Sequence, residues 1–357
     1  MKVLICYPNF WIYGGAEKVI VRLCNYLTEH NIDNTILTTK MLPEIKKELT
    51  ETRLIECENF DNMINMLHSI SQDFDVINIH NEPCQLFVYP KNMNTIWSFN
   101  ELPNKIQLGG TLPEMEIKIV QNFIKKVVVA DEVNEEKFKK VYGEKSISII
   151  PYGIDYDFFQ LPIKENMRER YNIEPNDFVI TQVGFIAPTK NQIESVKILA
   201  EVKKKIPNAK LILAGLPLED YKKDVEQEIM KNKLYADVIF TGKLTSEEVR
   251  DLLKASNVAI QPNKGQGSWL SVFEALSCGI PILVSEDFTG KELIFMRECG
   301  RVCKNEGYVS AIEEIYNKEF DMTGEGIEMD QEWIKENLTW NNYCKKMVEV
   351  FNENSSG

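Results

Sequence analysis

The 357-residue chain has only three histidines, and no HExxH is among its motifs, so a histidine-rich metal site is not expected. Its eight cysteines (6, 24, 57, 84, 278, 299, 303 and 344) are scattered. None forms CxxC, and the Cys299/Cys303 spacing lacks partners at zinc-site distance, so they read as reduced, mostly buried thiols. No run of about 18 apolar residues is present, which argues against a membrane span. Met1 leads straight into an apolar strand, VLICY, with no cationic leader, so no signal peptide is expected and a cytoplasmic location is. The formal net charge is −13. Met1–Tyr152 carries 16 basic and 20 acidic residues, and the remainder carries 25 and 34. Neither half has the basic excess of a nucleic-acid binder. One local excess exists: seven lysines against five acids from Lys118 to Lys145. It reads first as a solvated face, and more sharply as a weak peripheral contact of the N-terminal half with an anionic membrane at the inner face.

Short apolar runs alternate with helical patterns along the whole chain. In the first half the strand candidates are Val3–Tyr7, Thr35–Leu37, Arg53–Glu56, Val76–His80, Thr95–Phe99, Val127–Ala130 and Ile147–Ile150. In the second they are Phe178–Val183, Lys210–Ala214, Val238–Phe240, Val258–Gln261 and Ile282–Ser285. Nearly continuous apolar strands separated by helices imply parallel sheets covered on both faces. A single twelve-strand sheet would be unusually wide. The expected fold is therefore α/β, with two Rossmann-like, doubly wound domains facing a cleft. The boundaries fall at residues 1–152 and 153–338, joined at Pro151–Phe159. The apolar face of the last helix, Trp340, Tyr343, Met347, Val350 and Phe351, must dock on something. It either finishes the second domain or crosses back onto the first.

Three stretches carry phosphate-binding chemistry. Gly14-Gly15-Ala16-Glu17 follows the first strand and opens a helix, where two glycines admit a phosphate to the backbone. GFIAPTKN has Gly184 ending a strand and Lys190 near the next helix start, where an ammonium neutralises a diphosphate. A lysine is mildly disfavoured there by the helix dipole, which tilts the reading towards function. In GQGSWLSVFEALSCGIP, Glu274 lies one to two turns into a mostly apolar helix, within reach of a ribose. His80 ends its strand, and strand-end side chains of α/β domains face the ligand crevice; a structural histidine is nearly as good a reading. Asp155-Tyr156-Asp157 spells DxD but lies in the connection, so it reads as cap and turn chemistry.

Taken together and in order, these stretches resemble the glycosyltransferase family 4 enzymes of the GT-B fold. GGAEKVIVRLCNYL is similar to the family's first glycine loop and helix, and DVINIH and TIWSFNELP to its acceptor-side strand ends. IPYGIDYDFF resembles the interdomain connection, VGFIAPTKN the donor-phosphate strip, and GQGSWLSVFEALSCGIPIL the E-x7-E helix. TWNNYCKKMVEVF resembles the terminal helix that crosses back. Three positions depart from the pattern: Phe185 stands where an arginine is usual, Gln266 aligns with the first glutamate, and Asn100 aligns with the acceptor-side histidine.

The resemblance implies a retaining, metal-independent transferase with a nucleotide-diphosphate sugar, UDP favoured, as co-substrate and no cofactor. The acceptor would be a hydroxyl of a glycan or a lipid-linked molecule. It implies donor contacts from Gly14, Gly15, Gly184, Lys190, Gln266, Gly267, Trp269, Leu270 and Glu274. Catalytic positions would be Asn100, His80 and Lys190, with no metal ligands. The three departures also motivate a different class, a catalytically silent GT-B subunit that binds nucleotide sugar or glycan and supports a partner enzyme. A GT-B sugar-nucleotide enzyme that is not a transferase, such as an epimerase, is a third reading.

Overall fold

The computed structural model describes residues 1–100, 106, 110–264, 269–295, 297–304, 306–318 and 324–355. The chain divides into two compact units, Met1–Gly153 with Trp340–Gly357, and Ile154–Thr339.

Unit 1 is built on a seven-stranded parallel sheet. Its strands are β1 Lys2–Cys6, β2 Asp33–Thr38, β3 Arg53–Glu56, β4 Val76–His80, β5 Thr95–Ser98, β6 Lys126–Val129 and β7 Ile147–Ile149, ordered β3-β2-β1-β4-β5-β6-β7. The numbered helices, short turns aside, begin with α1 Gly15–Glu29, α2 Phe60–Ile70, α3 Glu114–Phe123 and α4 Glu132–Tyr142. Apolar side chains such as Leu4, Ile77, Trp97 and Phe138 form one core between sheet and helices. β4, VINIH, is buried along its whole length, as expected of a central parallel strand covered on both faces.

Unit 2 holds a six-stranded parallel sheet of β8 Phe178–Val183, β9 Ala209–Ala214, β10 Val238–Gly242, β11 Val258–Gln261, β12 Ile282–Ser285 and β13 Gly300–Cys303. Their order is β10-β9-β8-β11-β12-β13. The helices are α5 Gln192–Val202, α6 Glu219–Lys231, α7 Ser246–Lys254, α8 Trp269–Ser277, α9 Gly307–Tyr316 and α10 Gly324–Asn337. β13 was not expected: GRVC pairs a glycine with a charged residue at the sheet edge, so it shows no apolar run. α7 starts on a capping box, in which the Thr245 side chain accepts from the Glu248 N–H and the Glu248 carboxylate accepts from the Thr245 N–H.

The last helix, α11 Trp340–Ser355, belongs to unit 1 and packs on α1. Its buried residues are Trp340, Tyr343, Cys344, Met347, Val350 and Phe351. The Cys344 thiol contacts the Arg22 carbonyl at 3.8 Å, and Lys126 pairs with Glu353 at 2.8 Å.

The two orders have the same logic. In unit 1 the chain winds outward from β1 to β3, then returns to place β4 on the other side of β1. In unit 2 it does so from β8 to β10, returning with β11. Each sheet therefore has a switch point, between β1 and β4 and between β8 and β11. Helices leave in opposite directions there, opening a crevice at the carboxyl ends of the two strands.

Candidate donor and acceptor sites

In unit 2 the loops after β8 and β11 flank the switch point, and they are tied together. The Asn191 amide donates to the Pro262 carbonyl at 2.9 Å, and the Lys264 N–H donates to the Thr189 carbonyl at 3.0 Å. Gln261, at the end of β11, donates to the Val183 carbonyl at 2.8 Å.

Gly184 sits at φ 150° and Gly215 at φ 149°. A Cβ on Gly215 would lie 2.1 Å from the Gly184 carbonyl oxygen, so the loops after β8 and β9 approach each other only because this residue is glycine. Lys190 closes a 3-10 turn, Pro188–Lys190, and is half-buried. Its carbonyl accepts from the buried Gln182 amide at 2.7 Å, and Gln182 in turn accepts from Ser195 at 2.6 Å. Gln192 holds the same loop by accepting from the Ala187 N–H at 3.2 Å and donating to the Phe185 carbonyl at 2.8 Å. Asn191 takes the left-handed conformation, φ 55° and ψ 45°, at the N-cap position of α5, a geometry that asparagine tolerates better than most residues.

Sequence reading missed Gln182, Asn191 and Gln192. Gln182 was detectable only as a polar residue in a mostly apolar strand, and Gln192 only as one of several polar residues in the first turn of a helix.

On α8, Trp269 is buried against Phe273, with ring centroids 4.5 Å apart. Leu270, Ser271 and Glu274 form a half-exposed stripe at helical spacing. Glu274 is therefore less desolvated than the apolar composition of its helix suggests. Gln266, Gly267 and Ser268 lie outside the described residues. Asp155 stands at the N-cap position of a short helix, Tyr156–Gln160, that contains Asp157. Among the described residues no three His, Cys, Asp or Glu side chains are grouped to hold a metal, and no helix is long and apolar enough to cross a membrane. In the lysine-rich stretch, Lys118 pairs with Glu114 at 2.6 Å and Lys139 with Glu135 at 3.1 Å.

In unit 1 the switch-point loops hold Gly14 and Gly15 after β1 and Asn81 after β4. Gly14 is extended at φ −107°, so neither a left-handed turn nor strain explains it. Its N–H donates to Glu17 Oε2 at 3.0 Å. This corrects the expectation that the Gly14 N–H faces a phosphate: the buried Glu17 carboxylate already holds it. Glu17 Oε1 accepts from the Tyr7 hydroxyl at 2.6 Å. Burial raises the Glu17 pKa, and burial beside Glu17 raises that of Tyr7.

His80 is also corrected. It is 0% exposed. Asn78 uses its amide N–H groups on the Ile96 carbonyl and the Ser98 hydroxyl, at 3.2 and 3.0 Å. Its Oδ1 is therefore left to accept from His80 Nε2 at 2.7 Å. His80 Nδ1 has no partner among the described residues. Burial without a second partner pushes its pKa down to about 3, so the ring is neutral. The strand-end rule failed here because β4 is central and buried to its last residue.

Asn100 is half-exposed. Its amide donates to Asn81 Oδ1 at 2.7 Å, and its oxygen accepts from the Tyr152 hydroxyl at 2.6 Å.

Comparison with known proteins fits this arrangement. Residues 163–339, just under half the chain, match the family model "Glycosyl transferases group 1". The chain is 30% identical over 168 residues to the Escherichia coli UDP-Gal:alpha-D-GlcNAc-diphosphoundecaprenol alpha-1,3-galactosyltransferase, covering 43% of this chain and 41% of that protein. It is 26% identical over 251 residues to the trehalose synthase of Thermococcus litoralis, covering 66% of this chain and 57% of that protein. The chain thus spans well under two thirds of the length of these curated relatives. Among solved structures, Anabaena HepE in complex with UDP and glucose superposes with a TM-score of 0.83 at 15% identity, covering 99% of this chain and 100% of that one. Residues 163–339 thus resemble the glycosyl transferases group 1 family, and the chain as a whole has the GT-B fold of two Rossmann-like units.

Proposed function

We propose that this chain is a glycosyltransferase that moves a sugar from a nucleotide-diphosphate sugar to a hydroxyl of a glycan or lipid-linked acceptor, with retention at the anomeric carbon. The observation that carries the reading is the switch point of unit 2. There the glycine-lysine loop after β8 is pinned to the loop leading into α8, inside the segment that matches the family. Such a crevice suits a nucleotide diphosphate, with backbone N–H groups and one ammonium for the phosphates and a carboxylate for the ribose. Lys190 takes the diphosphate and Glu274 the ribose hydroxyls. Gly184 lets the backbone approach, backbone N–H groups around Trp269 and Leu270 assist in holding the nucleotide, Gly267 is a further donor contact, and the role proposed for Gln266 is to read the transferred sugar.

UDP is the proposed nucleotide. A UDP-galactose enzyme is among the relatives, and the Anabaena structure holds UDP.

In the reaction the bond between the anomeric carbon and the β-phosphate oxygen breaks, and the acceptor oxygen bonds to that carbon from the same face. The leaving diphosphate takes the acceptor hydroxyl's proton, so no protein nucleophile is needed. Electrostatic stabilisation of that diphosphate is the main protein contribution, and with Phe185 in place of a second cation it rests on Lys190 and backbone N–H groups. Unit 1 supplies the acceptor side through Asn100. Turnover is proposed to need no divalent metal.

A panel of UDP-, GDP- and ADP-sugars followed by NMR with the purified chain tests this. Release of UDP with an α-configured product from an α-linked donor, undiminished in chelator, is expected. Binding without turnover of any donor supports the silent-subunit reading instead, and a changed sugar epimer supports a non-transferase enzyme.

A further inference from the structure

Helix α8 carries Glu274 in its last turn, which ends at Ser277. Helix ends fray unless their last carbonyls find partners, so whatever holds this end also holds Glu274. Each of the last four carbonyls is taken. Glu274 accepts from the Cys278 N–H at 3.1 Å, Ala275 from the Ile280 N–H at 3.0 Å and Leu276 from the Gly279 N–H at 2.9 Å. The last two bonds make a Schellman motif, with Gly279 at φ 72° as its left-handed residue. The motif leaves the Ser277 carbonyl over. Ser277 is 0% exposed, which closes that oxygen to solvent. Two glutamine amides serve it instead: Gln160 Nε2 donates to the Ser277 oxygen at 2.6 Å and Gln331 Nε2 at 2.9 Å.

The two amides come from far apart in the chain. Gln160 ends the short helix Tyr156–Gln160 near the start of unit 2, and Gln331 lies in α10 near its end. α8 packs against both helices. The fit at Gln331 is close: a Cβ on Gly279 would lie 3.3 Å from its Nε2 and 3.1 Å from Ile327 Cγ2. A carbonyl oxygen has two lone pairs, and two separate segments of the chain use them here. Held from two sides, the last turn is fixed both along the helix axis and about it.

We propose that Gln160 and Gln331 are positioning residues of the donor site, which hold the last turn of α8 and with it the Glu274 carboxylate where it meets a ribose. The inference rests on the proposed donor reading for the ligand of Glu274, and on unit 2 geometry alone for the clamp. Hydrogen bonds weaken steeply as distance and angle leave their optimum. A frayed last turn therefore loses the ribose contact, while the diphosphate contact, made from the loop after β8, stays.

Methionine has nearly the length of glutamine but no N–H to donate. The full chain is made as wild type, as the pair Gln160→Met with Gln331→Met, and as Glu274→Ala with and without that pair. Affinities for UDP and for 2′,3′-dideoxy-UDP, which lacks the ribose hydroxyls, are measured by calorimetry. Hydrogen exchange across residues 270–280 is followed by mass spectrometry without nucleotide. The methionine pair is expected to weaken UDP by roughly fivefold or more, to leave dideoxy-UDP within about twofold, and to add nothing further in the Glu274→Ala chain. Exchange in the last turn of α8 is expected to quicken. Equal weakening of both nucleotides, or unchanged UDP affinity, overturns the positioning role, and unchanged exchange in a folded variant overturns the clamp. A wild type that binds both nucleotides equally well takes Glu274 off the ribose, and the positioning role falls with it. A wild type that binds neither ends the donor reading and the positioning role together, while exchange still decides the clamp. If the double variant does not fold, the single variants, each of which keeps one amide on the Ser277 oxygen, are read in the same way.

Discussion

A neutral, buried His80 makes stability depend on pH in a direction that can be worked out. Its folded pKa is depressed to about 3, against an ordinary value of about 6.5. The stability tied to the neutral ring is present above the unfolded pKa and is lost as pH falls towards the folded one, because the unfolded chain takes up a proton that the fold refuses. Between pH 7 and pH 5 that loss is about 2 kcal/mol. Glu17 works in the opposite sense over its own range, since burial raises its pKa. A His80→Gln variant isolates the histidine: the amide can still donate to Asn78 but does not titrate. Urea unfolding at pH 7 and pH 5 is expected to show the loss in wild type and only a small part of it in the variant. Equal losses would mean that the His80 ring opens to solvent.

Lys190 belongs to the same scale. A charge-assisted contact is worth roughly 1.5–3 kcal/mol, so Lys190→Ala is expected to weaken UDP by about tenfold or more and uridine hardly at all. Unchanged UDP affinity by calorimetry would remove Lys190 from the donor site.

At the scale of elements, the loops matter more than the strands that carry them. Gly215 is the clearest case. A methyl there meets the Gly184 carbonyl oxygen at 2.1 Å in a backbone conformation that side chains rarely adopt. Gly215→Ala must therefore push the loop after β8 away from β9. A residue held at such a φ costs about 1–3 kcal/mol before the clash is counted. The expected outcome is a lower melting temperature together with a loss of UDP affinity of at least the size seen for Lys190→Ala. A variant that is destabilised but binds UDP normally would separate the loop from the site.

This is also the scale at which the sequence was most legible. β3, β4, β8, β11 and β12 fall at the residues read from the sequence; all but β3 lie inside their sheets, where a parallel strand is covered on both faces and so mostly apolar. β13, at a sheet edge, has no apolar run and was lost. The bonds that Asn100 makes with Tyr152 and Asn81, and that Tyr7 makes with Glu17, were not legible at all. The bonded partners lie 10, 19 and 52 positions apart along the chain, and only the fold brings them together. Glu17 was visible as the fourth residue of GGAE, yet nothing local says that its two oxygens hold Tyr7 and Gly14. Likewise, His80 read as a crevice residue because strand ends usually are; its burial depends on what covers β4.

At the scale of the whole molecule, the chain's order and its structural units do not coincide. Two readings of the last helix were open from its apolar face, and the structure places it in unit 1. Chain entry and exit of unit 2 run side by side, with the Ile154 N–H donating to the Leu338 carbonyl at 2.7 Å. Beyond that point α11 leaves unit 2 and lays Met347 and Phe351, both 0% exposed, into the unit 1 core side. Its Tyr343 ring sits 5.9 Å from that of Tyr152, whose hydroxyl donates to Asn100. Removing a large buried side chain typically costs 2–5 kcal/mol. Met347→Ala and Phe351→Ala are therefore expected to weaken unit 1, although both residues lie after unit 2 in the chain. Hydrogen exchange read by mass spectrometry should show earlier exchange across β1, β4 and β5 and unchanged protection in β8, β9 and β11. The Tyr152–Asn100 bond should loosen with it, so transfer should fall further than donor affinity, which depends on the intact unit 2. Equal loss of protection in both sheets would mean that the units unfold as one. Loss confined to unit 2 would overturn the assignment of the helix.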